Sequence, residues 1–472
     1  MRALGILGGL NLLLSALLLI PASVAFLYRE DPVAFLLPSA VTLLTGGGMY
    51  LFGRGRGGEI SQRDAFLIVS LAWIDASFFG SLPFFLSGLS LLDSLFETIS
   101  GFTTTGATVL SQIEQWPRGL LFWRAMTQWL GGMGIIVFSI AILPFLGVGG
   151  MQLFKAEVPG PTVEKLRPRI AQTAKLLWTL YFVLSASEAL LLVLGDMTPY
   201  EALCHTFTTM STGGFSTRTA SIGSFGHYHR LVITGFMVLA GANFSLHWRF
   251  LQERQAHLKD PEFRLYLSLI LISVGLIASD LLMNLGGGIF RVEEAAFQAI
   301  SILTTTGYST ADFGSWPPLS QIVLFSLMFL GGCSGSTAGG IKVIRVLIIW
   351  RFVAQELKKL LWPKAVTAVK VGRRALSVEV VHGILAMAAL YMGIFVLSSM
   401  AMGALGLDMV TALSAVAACL GNVGPGLGKV GPVLNYGSLP ELAKGILMFC
   451  MLAGRLEIYT LVILFYPSFW KR

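Results

Sequence analysis

Charged side chains are scarce in this chain of 472 residues, because Asp, Glu, Lys and Arg together make up only 12% of it. A soluble domain carries roughly 25% charged residues, so the polar surface needed to cover a soluble particle of this size is missing. The low charge excludes an ordinary cytosolic enzyme. The 55% of hydrophobic residues excludes a disordered chain, which needs low hydrophobicity. The composition therefore indicates a polytopic membrane protein without a large soluble domain.

Cysteine and histidine are also few and dispersed. The four cysteines form no CxxC pair, and no two of the six histidines have the i, i+4 spacing of metal ligands. These patterns indicate neither a disulfide framework nor a metal site. No complete hydrolytic or redox site is visible either, so the sequence predicts a protein that is not an enzyme and has no cofactor of its own.

Long apolar runs, in contrast, are abundant. A membrane-spanning helix needs about 20 apolar residues, and ten runs of suitable length follow one another. They cover residues 4–27, 32–52, 65–92, 120–146, 176–194, 231–251, 265–285, 322–349, 380–405 and 443–465. The first run resembles a signal peptide with a cleavage site at residues 23–25. It is long for one and a second run follows at once, so we predict a span there too.

The positive residues indicate how these spans are oriented. With the N-terminus in the cytoplasm, the cytoplasmic segments hold 24 Lys and Arg residues and the outer segments hold eight. Because cytoplasmic loops are enriched in Lys and Arg, both termini are predicted to be cytoplasmic. The same distribution accounts for the net charge of +8, so a nucleic-acid partner is not needed to explain it.

Four clusters of Thr, Ser and Gly recur in the outer connections, each after a short helix-like stretch. The stretches are 92–102, 199–209, 292–303 and 408–419, and the clusters are 103–107, 210–214, 304–308 and 420–424. A pair of small residues recurs in the following span, at Gly131-Gly132, Gly241-Ala242 and Gly331-Gly332, with Gly454-Arg455 in the fourth. The spacing to this pair favours Gly424 over Gly421 as the equivalent cluster glycine. Such self-similarity predicts one module used four times.

Each module combines a span, a short re-entrant helix, an extended loop and a second span. Non-helical backbone at membrane depth is tolerated where it is buried in protein or lines a water-filled path. Four such loops around one axis form a ring of carbonyl oxygens that replaces the hydration shell of a cation, while the helix C-termini add partial negative charge. Close helix packing in lipid explains one cluster but not four at matching positions. The predicted filter comprises Thr104, Thr105, Gly106, Ser211, Thr212, Gly213, Thr305, Thr306, Gly307, Asn422, Val423 and Gly424.

These clusters, the tract Gly-Gly-Cys-Ser-Gly-Ser-Thr-Ala-Gly-Gly at 331–340 and Arg455 resemble the Trk/Ktr/HKT superfamily of potassium transporters, most closely its bacterial TrkH/TrkG-type membrane subunit. The match runs from about Asp64 to the end. The resemblance implies an all-α polytopic membrane protein with four M1–pore helix–filter loop–M2 modules around one pore, plus two extra N-terminal transmembrane helices. The implied divisions are 1–63, 64–153, 154–253, 254–360 and 361–472.

The resemblance also implies a function and partners. The transported ion is K⁺, and the glycine at Gly106 goes with potassium selectivity, since sodium-selective plant members tend to carry serine there. The protein is expected in the lipid bilayer of the bacterial cytoplasmic (inner) membrane as a homodimer. A cytosolic TrkA-type RCK subunit that binds NAD(H) or ATP/ADP is expected to regulate it.

The tract at 331–340 interrupts the eighth span with small and polar residues that make a poor lipid-facing helix. The resemblance makes it an intramembrane gating loop below the filter, whereas a tight helix crossing is the alternative. The gate residues are then Gly331, Gly332, Cys333, Ser334, Gly335, Ser336, Thr337, Ala338, Gly339, Gly340 and Arg455.

Arg455 occupies a position where the other three modules have glycine or alanine. A charge inside the membrane is costly and usually faces a bundle interior or an aqueous cavity, and arginine stays protonated there. We therefore predict that Arg455 projects into the pore and restricts the closed state. The alternative is a structural ion pair, with Asp75, Glu188 or Asp280 as the partner.

Two other functions stay open at this point. Residues 332–335 fit the G-x-S-G motif of intramembrane serine proteases, with Ser334 as nucleophile and His247 or His382 as base, although the fourfold repeat is then unexplained. A proton- or sodium-coupled secondary transporter with a midplane site also uses broken helices. Flux that depends on a proton or sodium gradient favours that transporter, and passive potassium flux favours a gated channel.

Overall fold

A computed structural model describes residues 2–53, 61–141, 166–364, 367–372 and 374–471. Apart from turns and loops, these residues are helical, with one small hairpin in which Lys370–Val371 pairs with Arg374–Ala375. The predicted all-α architecture is therefore confirmed. The predicted boundary at 153/154 and the end of the fourth predicted span, 142–146, lie outside the described residues.

At the N-terminus, the helices Arg2–Leu27 and Val33–Gly53 form an antiparallel pair. Small residues allow their backbones to approach, since a Cβ on Gly8 would lie 2.4 Å from the backbone nitrogen of Tyr50. This close packing is typical of helices in membranes. The pair matches the two extra N-terminal helices expected from the sequence.

The rest of the described chain contains four similar units, numbered 1 to 4, each with an outer helix, a short helix, a turn and a return helix. The outer helices are Gln62–Leu86, Leu166–Leu194, Pro261–Leu285 and Val378–Ala404. The short helices are Leu91–Phe102, Pro199–Met210, Ile289–Leu303 and Met409–Leu420. The return helices are Arg118–Ala141, His227–Gly241, Pro318–Leu327 and Glu441–Arg455. The short helices agree with the predicted stretches to within three residues.

Brief elements complete the units. After each turn comes a one-turn 3₁₀ helix, at Ile113–Gln115, Ser221–Ser224, Phe313–Ser315 and Gly428–Val430. In units 2 to 4 the chain continues beyond the return helix as Phe244–Gln252, Val343–Leu361 and Tyr459–Val462. The remaining short helices are Ala256–Lys259, Ile463–Phe465 and Pro467–Trp470.

Local sequence explains where the short helices begin. The side chains of Ser90, Thr198 and Asp408 each accept a hydrogen bond from the backbone N–H three residues later. Such caps satisfy donors that a helix start otherwise leaves free. The short helix of unit 3 instead begins after Gly288.

Among the described residues, six helices are long and apolar enough to cross a membrane: the N-terminal pair and the four outer helices. We expected two further continuous spans at 231–251 and 443–465, and the structure corrects both. The first bends by 100° after Gly241 and the second by 115° after Arg455. The eighth predicted span is divided into Pro318–Leu327 and Val343–Leu361 by non-helical backbone. Within the described residues, three of the four return segments are thus interrupted.

Polar and apolar residues are distributed in the opposite way to a soluble protein, with apolar side chains outside and polar ones inside. The outer helices expose large apolar side chains, such as Leu271 and Met283. The turns of units 1 to 3 instead bury their threonines completely, and the turn of unit 4 buries Asn422. Apolar surface faces outward where lipid is the solvent. The centre of the molecule is therefore the polar part, and the functional site is expected there.

Candidate functional site

The four turns have the same backbone conformation. The C-cap residue of each short helix is right-handed helical, and the residue after it has a positive φ: Thr104 (51°), Thr212 (54°), Thr305 (58°) and Asn422 (54°). Two residues later a glycine also has a positive φ: Gly106 (82°), Gly214 (74°), Gly307 (79°) and Gly424 (99°). This fourfold identity of backbone angles supports the predicted repeat.

The same hydrogen bonds close each short helix. The N–H two residues beyond the C-cap donates to the carbonyl five residues earlier, as from Thr105 to Ser100 (2.9 Å) and from Thr306 to Ser301 (2.9 Å). Gly213 and Val423 make the equivalent bonds, to Thr208 and Ala418. This is the Schellman arrangement, whose left-handed position is usually glycine.

Threonine occupies that left-handed position in three of the four turns. A β-branched residue there is an outlier, and such strain costs of the order of 1–3 kcal/mol per residue. Strained backbone persists where the surroundings enforce it, and it clusters at functional sites. Three strained turns in one buried place therefore indicate a functional centre.

The backbone angles shift one predicted equivalence. We aligned Ser211-Thr212-Gly213 with Thr104-Thr105-Gly106, but the residue of unit 2 that matches Gly106 in φ is Gly214. Two adjacent glycines left this register ambiguous, and only the backbone resolves it. In unit 4 the match is Gly424, as the spacing predicted.

The four glycines close a circle between the units. A Cβ added at Gly106 would lie 2.2 Å from the carbonyl oxygen of Gly213, and one at Gly214 would lie 1.8 Å from that of Thr306. A Cβ at Gly307 would lie 1.9 Å from the oxygen of Val423, and one at Gly424 would lie 2.6 Å from that of Thr105. Each unit thus touches the next, and unit 4 touches unit 1. We call these four turns the ring.

Side chains behind the ring anchor the loop that follows each turn. Glu97 accepts from the N–H of Val109 (3.0 Å), and Gln298 accepts from that of Thr310 (3.1 Å). The same position in unit 2 holds His205, whose Nε2 lies 3.0 Å from the hydroxyl of Ser216. In unit 4 the residue just before that position, Ser414, accepts from the N–H of Leu427 (2.9 Å). The loops are therefore fixed to the short helices by polar contacts as well as by packing.

Unit 1 contains a buried ion pair that was not predicted from the sequence, and its arginine also binds unit 2. Arg124 Nε lies 2.6 Å from Glu97 Oε1, and its Nη1 donates to the carbonyl of Ser216 (2.9 Å). Its guanidinium also lies over the ring of Phe215, 3.5 Å from the centroid. Arg124 is one of the eight Lys and Arg residues assigned to the outer segments from the sequence, but it is buried in the return helix of unit 1. The sequence signal for this pair is a Glu and an Arg that each lie in an otherwise apolar stretch.

Replacing Glu97 by alanine is expected to destabilise the protein strongly. Removing one partner of a buried pair leaves the other charge uncompensated, which costs about 3–5 kcal/mol. Thermal unfolding of the detergent-purified protein measures the effect. The control is Glu294→Ala, because Glu294 forms a 2.7 Å pair with Arg291 that is partly exposed and should contribute at most about 1 kcal/mol. Equal losses for the two variants would contradict a special role for the buried pair.

The tract at 331–340 lies against the ring. Its residue Gly339 donates to the hydroxyl of Thr305 (2.7 Å), and Thr337 donates to the carbonyl of Met210 (3.0 Å). A Cβ on Gly339 would lie 2.5 Å from the carbonyl oxygen of Gly421. The tract therefore contacts the turns of units 2, 3 and 4.

The tract is a folded, buried loop and does not form a helix crossing. Its two ends meet where Gly331 donates to the carbonyl of Ile341 (2.9 Å). Cys333 donates to the carbonyl of Gly241 (2.8 Å), at the bend of unit 2. Cys333 and Thr337 are fully buried. The bend therefore makes room for the tract.

Arg455 is buried (2% exposed) and binds the tract. Its Nη1 donates to the carbonyl of Thr337 (2.7 Å), and its Nη2 lies 3.3 Å from the carbonyl of Gly131. Its Nε has no hydrogen-bond partner among the described residues. Through Arg455 the tract also reaches unit 1.

The structural ion pair considered for Arg455 is not found. Within the described ranges, no carboxylate lies within ion-pair distance of its guanidinium. Asp280 instead accepts from the N–H (2.9 Å) and hydroxyl (2.6 Å) of Ser320. The oxygens of Glu188 have no hydrogen-bond partner among the residues that the structure describes. In the part of the chain that the structure describes, Arg455 therefore hydrogen-bonds only to carbonyl oxygens.

The protease arrangement is absent from the described residues. The N–H of Ser334 donates to Glu262 (2.6 Å). His247 instead lies 2.9 Å from the carbonyl of Leu239 and 3.2 Å from His257, and neither it nor His382 hydrogen-bonds Ser334. Without a base in reach, a serine nucleophile is not activated.

Comparisons with known proteins agree with this geometry. A family model described as TrkH, a cation transport protein, matches residues 33–472. The Trk system potassium uptake protein TrkH of Vibrio parahaemolyticus is 43% identical over 99% of this chain and 98% of its own length. The corresponding TrkG protein of Escherichia coli is 35% identical over 98% and 97%.

A solved structure is similar over the whole fold. The crystal structure of the potassium transporter TrkH from Vibrio parahaemolyticus superposes with a TM-score of 0.92 and 40% identity, covering 100% of this chain and 99% of that one. These relatives are transporters and not enzymes, which confirms the resemblance seen in the sequence. The chain belongs to the TrkH family of cation transport proteins.

Proposed function

We propose that this protein takes up potassium across the bacterial cytoplasmic membrane, through a selectivity filter formed by the ring. The observation that carries the proposal is the closed circle of contacts, in which each turn glycine meets a carbonyl of the next unit. The relatives are named potassium uptake proteins, which supports K⁺ as the transported ion. K⁺ is the substrate, and the chain needs no cofactor of its own.

The chemistry of the ring suits a cation. Carbonyl oxygens around an axis replace the water that a permeating ion loses, and the short helices direct their partly negative C-termini toward the same place. The filter residues are those predicted from the sequence, with Gly214 added in unit 2. Because each carbonyl touches the neighbouring glycine, the spacing of the oxygens is fixed by backbone contact.

We assign the tract at 331–340 and Arg455 to the gate. The tract contacts the turns of units 2 to 4, and Arg455 ties it to units 1 and 4. A protonated arginine in a cation path repels the permeating ion. The arrangement therefore corresponds to a closed state, and opening requires Arg455 and the tract to leave the path.

The remaining assignments rest on the sequence. We place both termini in the cytoplasm on the distribution of Lys and Arg, and keep the divisions 1–63, 64–153, 154–253, 254–360 and 361–472. The helix Val343–Leu361 leaves the gate tract and carries basic residues in its last turn. This helix is where we expect a cytosolic TrkA-type RCK subunit, binding NAD(H) or ATP/ADP, to act on a homodimer. A nucleic-acid partner is not expected.

Expression in a bacterial strain that lacks its own potassium uptake systems tests the proposal. We expect the chain, supplied with its cytosolic partner, to restore growth at low external potassium and rubidium uptake. Failure of both, with the protein present in the membrane, would contradict it. Uptake that collapses when the proton or sodium gradient is removed at constant potassium gradient would instead favour a coupled transporter.

A further inference from the structure

The chain makes a strained turn directly after Arg455. Ile458 has φ 59° and ψ −58°, and the N–H of Tyr459 donates to the carbonyl of Glu457 at 2.6 Å. These values describe a γ-turn of the positive-φ kind, which is rare and strained. Glu457 also has a positive φ, and Ile458 is β-branched, so the side chains add to the steric cost. The turn produces the 115° bend of unit 4.

A buried ion pair holds this turn. Glu457 pairs with Arg345, and their side chains are 10% and 5% exposed. Arg345 lies in the first turn of Val343–Leu361, the helix that follows the gate tract. Breaking a buried pair is costly because each charge is left uncompensated. The pair therefore fixes the strained turn to the start of that helix.

The gate tract is attached to the same helix. One oxygen of Glu262 accepts from the N–H of Ser334 (2.6 Å) in the tract and from that of Ile344 (3.1 Å) at the helix start. The tract and the beginning of the helix are thus clamped together at one carboxylate. A displacement of the helix moves the tract and Arg345 at the same time.

These contacts form a closed chain of connections. The helix start holds Glu457 through Arg345, Glu457 fixes the turn that orients Arg455, and Arg455 binds Thr337 of the tract. The geometry points to Arg345 and Glu457 as positioning residues that keep Arg455 in the ion path while the helix is in place. This inference rests on the proposed function, since it names what holds and releases the proposed gate.

The release follows from the strain. When the helix moves away, Arg345 separates from Glu457, and the γ-turn loses the ion pair that helps to hold it. The turn relaxes toward ordinary backbone angles, and the end of the return helix that carries Arg455 reorients. The stored strain thus favours opening, and the ion pair opposes it.

Passive potassium flux through proteoliposomes that contain the full chain tests this coupling. Glu457→Gln and Arg345→Gln are each expected to raise the flux about tenfold, the rate change for ~1.4 kcal/mol of lost barrier. Arg345→Lys keeps the charge and should stay near wild type. Glu356→Gln is the matched control, because Glu356 pairs with Lys359 on the same helix in an exposed position, and it should leave the flux unchanged.

Two further variants make the test specific. Ile458→Gly lowers the cost of the positive φ, so it is expected to stabilise the turn and to reduce the flux of Arg345→Gln. In an Arg455→Ala background, Glu457→Gln should add nothing, because the pair acts through Arg455. Multiplicative effects in that double variant would overturn the coupling.

The outcomes distinguish the barrier formed by Arg455 from the positioning role of Arg345 and Glu457. Arg455→Ala without effect on flux contradicts the arginine barrier in the proposed function. A rise in Arg455→Ala, together with wild-type flux in both Glu457→Gln and Arg345→Gln, overturns only the positioning role. Flux is normalised to inserted protein, so a variant that inserts poorly is judged by its partner variant on the other side of the pair.

Discussion

Arg455→Ala is expected to raise passive potassium flux through the purified chain roughly 10- to 100-fold. Two unit charges 4 Å apart repel each other by about 4 kcal/mol at an effective dielectric constant of 20, and water in the path reduces that value. Arg455 is buried, and only carbonyl oxygens meet its charge among the described residues. Its removal takes away both the repulsion and the bond to Thr337. Ion flux into proteoliposomes along a potassium gradient measures the change.

The charge itself is tested by a matched variant. Arg455→Lys keeps a cation at the same place and is expected to stay close to the low wild-type flux. Arg249→Ala removes an exposed arginine and serves as the control for net charge. Unchanged flux in Arg455→Ala would remove Arg455 from the gate.

Gly307→Ala is expected to abolish potassium uptake. The new Cβ would lie 1.9 Å from the carbonyl oxygen of Val423, and Gly307 has a φ of 79°. The neighbouring carbonyl has to move, which destroys the spacing of the carbonyl oxygens in the ring. Alanine is also disfavoured at a positive φ, because it has a Cβ. Rubidium uptake by cells that lack other potassium systems measures the loss.

The same reasoning predicts an order among the glycines. Gly214→Ala, at 1.8 Å from a carbonyl oxygen, should be as severe as Gly307→Ala, whereas Gly424→Ala, at 2.6 Å, should retain the most uptake. Gly275→Ala is the matched control for Gly307→Ala. Gly275 lies in the outer helix of unit 3, the unit of Gly307, and an added Cβ there would have no atom within 4 Å. Normal uptake in Gly307→Ala would show that the ring contact is not needed.

Much of the fold was predictable because its signals are local. Apolar runs locate the outer helices, and the capping residues and Thr/Ser/Gly clusters locate the short helices. The recurrence of one cluster four times indicated a ring before any contact was known. The register of unit 2 was not predictable, because Gly213 and Gly214 are equally permissive in sequence and only the backbone distinguishes them.

The features that could not be predicted depend on contacts between residues far apart in the sequence. Glu97 and Arg124 are 27 positions apart, and Arg345 and Glu457 are 112 apart, so no local pattern joins them. The bend after Arg455 contains no proline or glycine that would signal it, because its γ-turn is centred on Ile458. The tertiary structure enforces that turn against the local preference of the residue.

The most direct test of the ring as a potassium filter is the ratio of potassium to sodium flux in proteoliposomes. The chain is used alone, with Arg455→Ala to lower the gate barrier. The account predicts passive flux that follows the potassium gradient and clearly favours potassium over sodium. Equal passage of potassium and sodium by a correctly inserted protein would contradict the claim that the ring selects the ion.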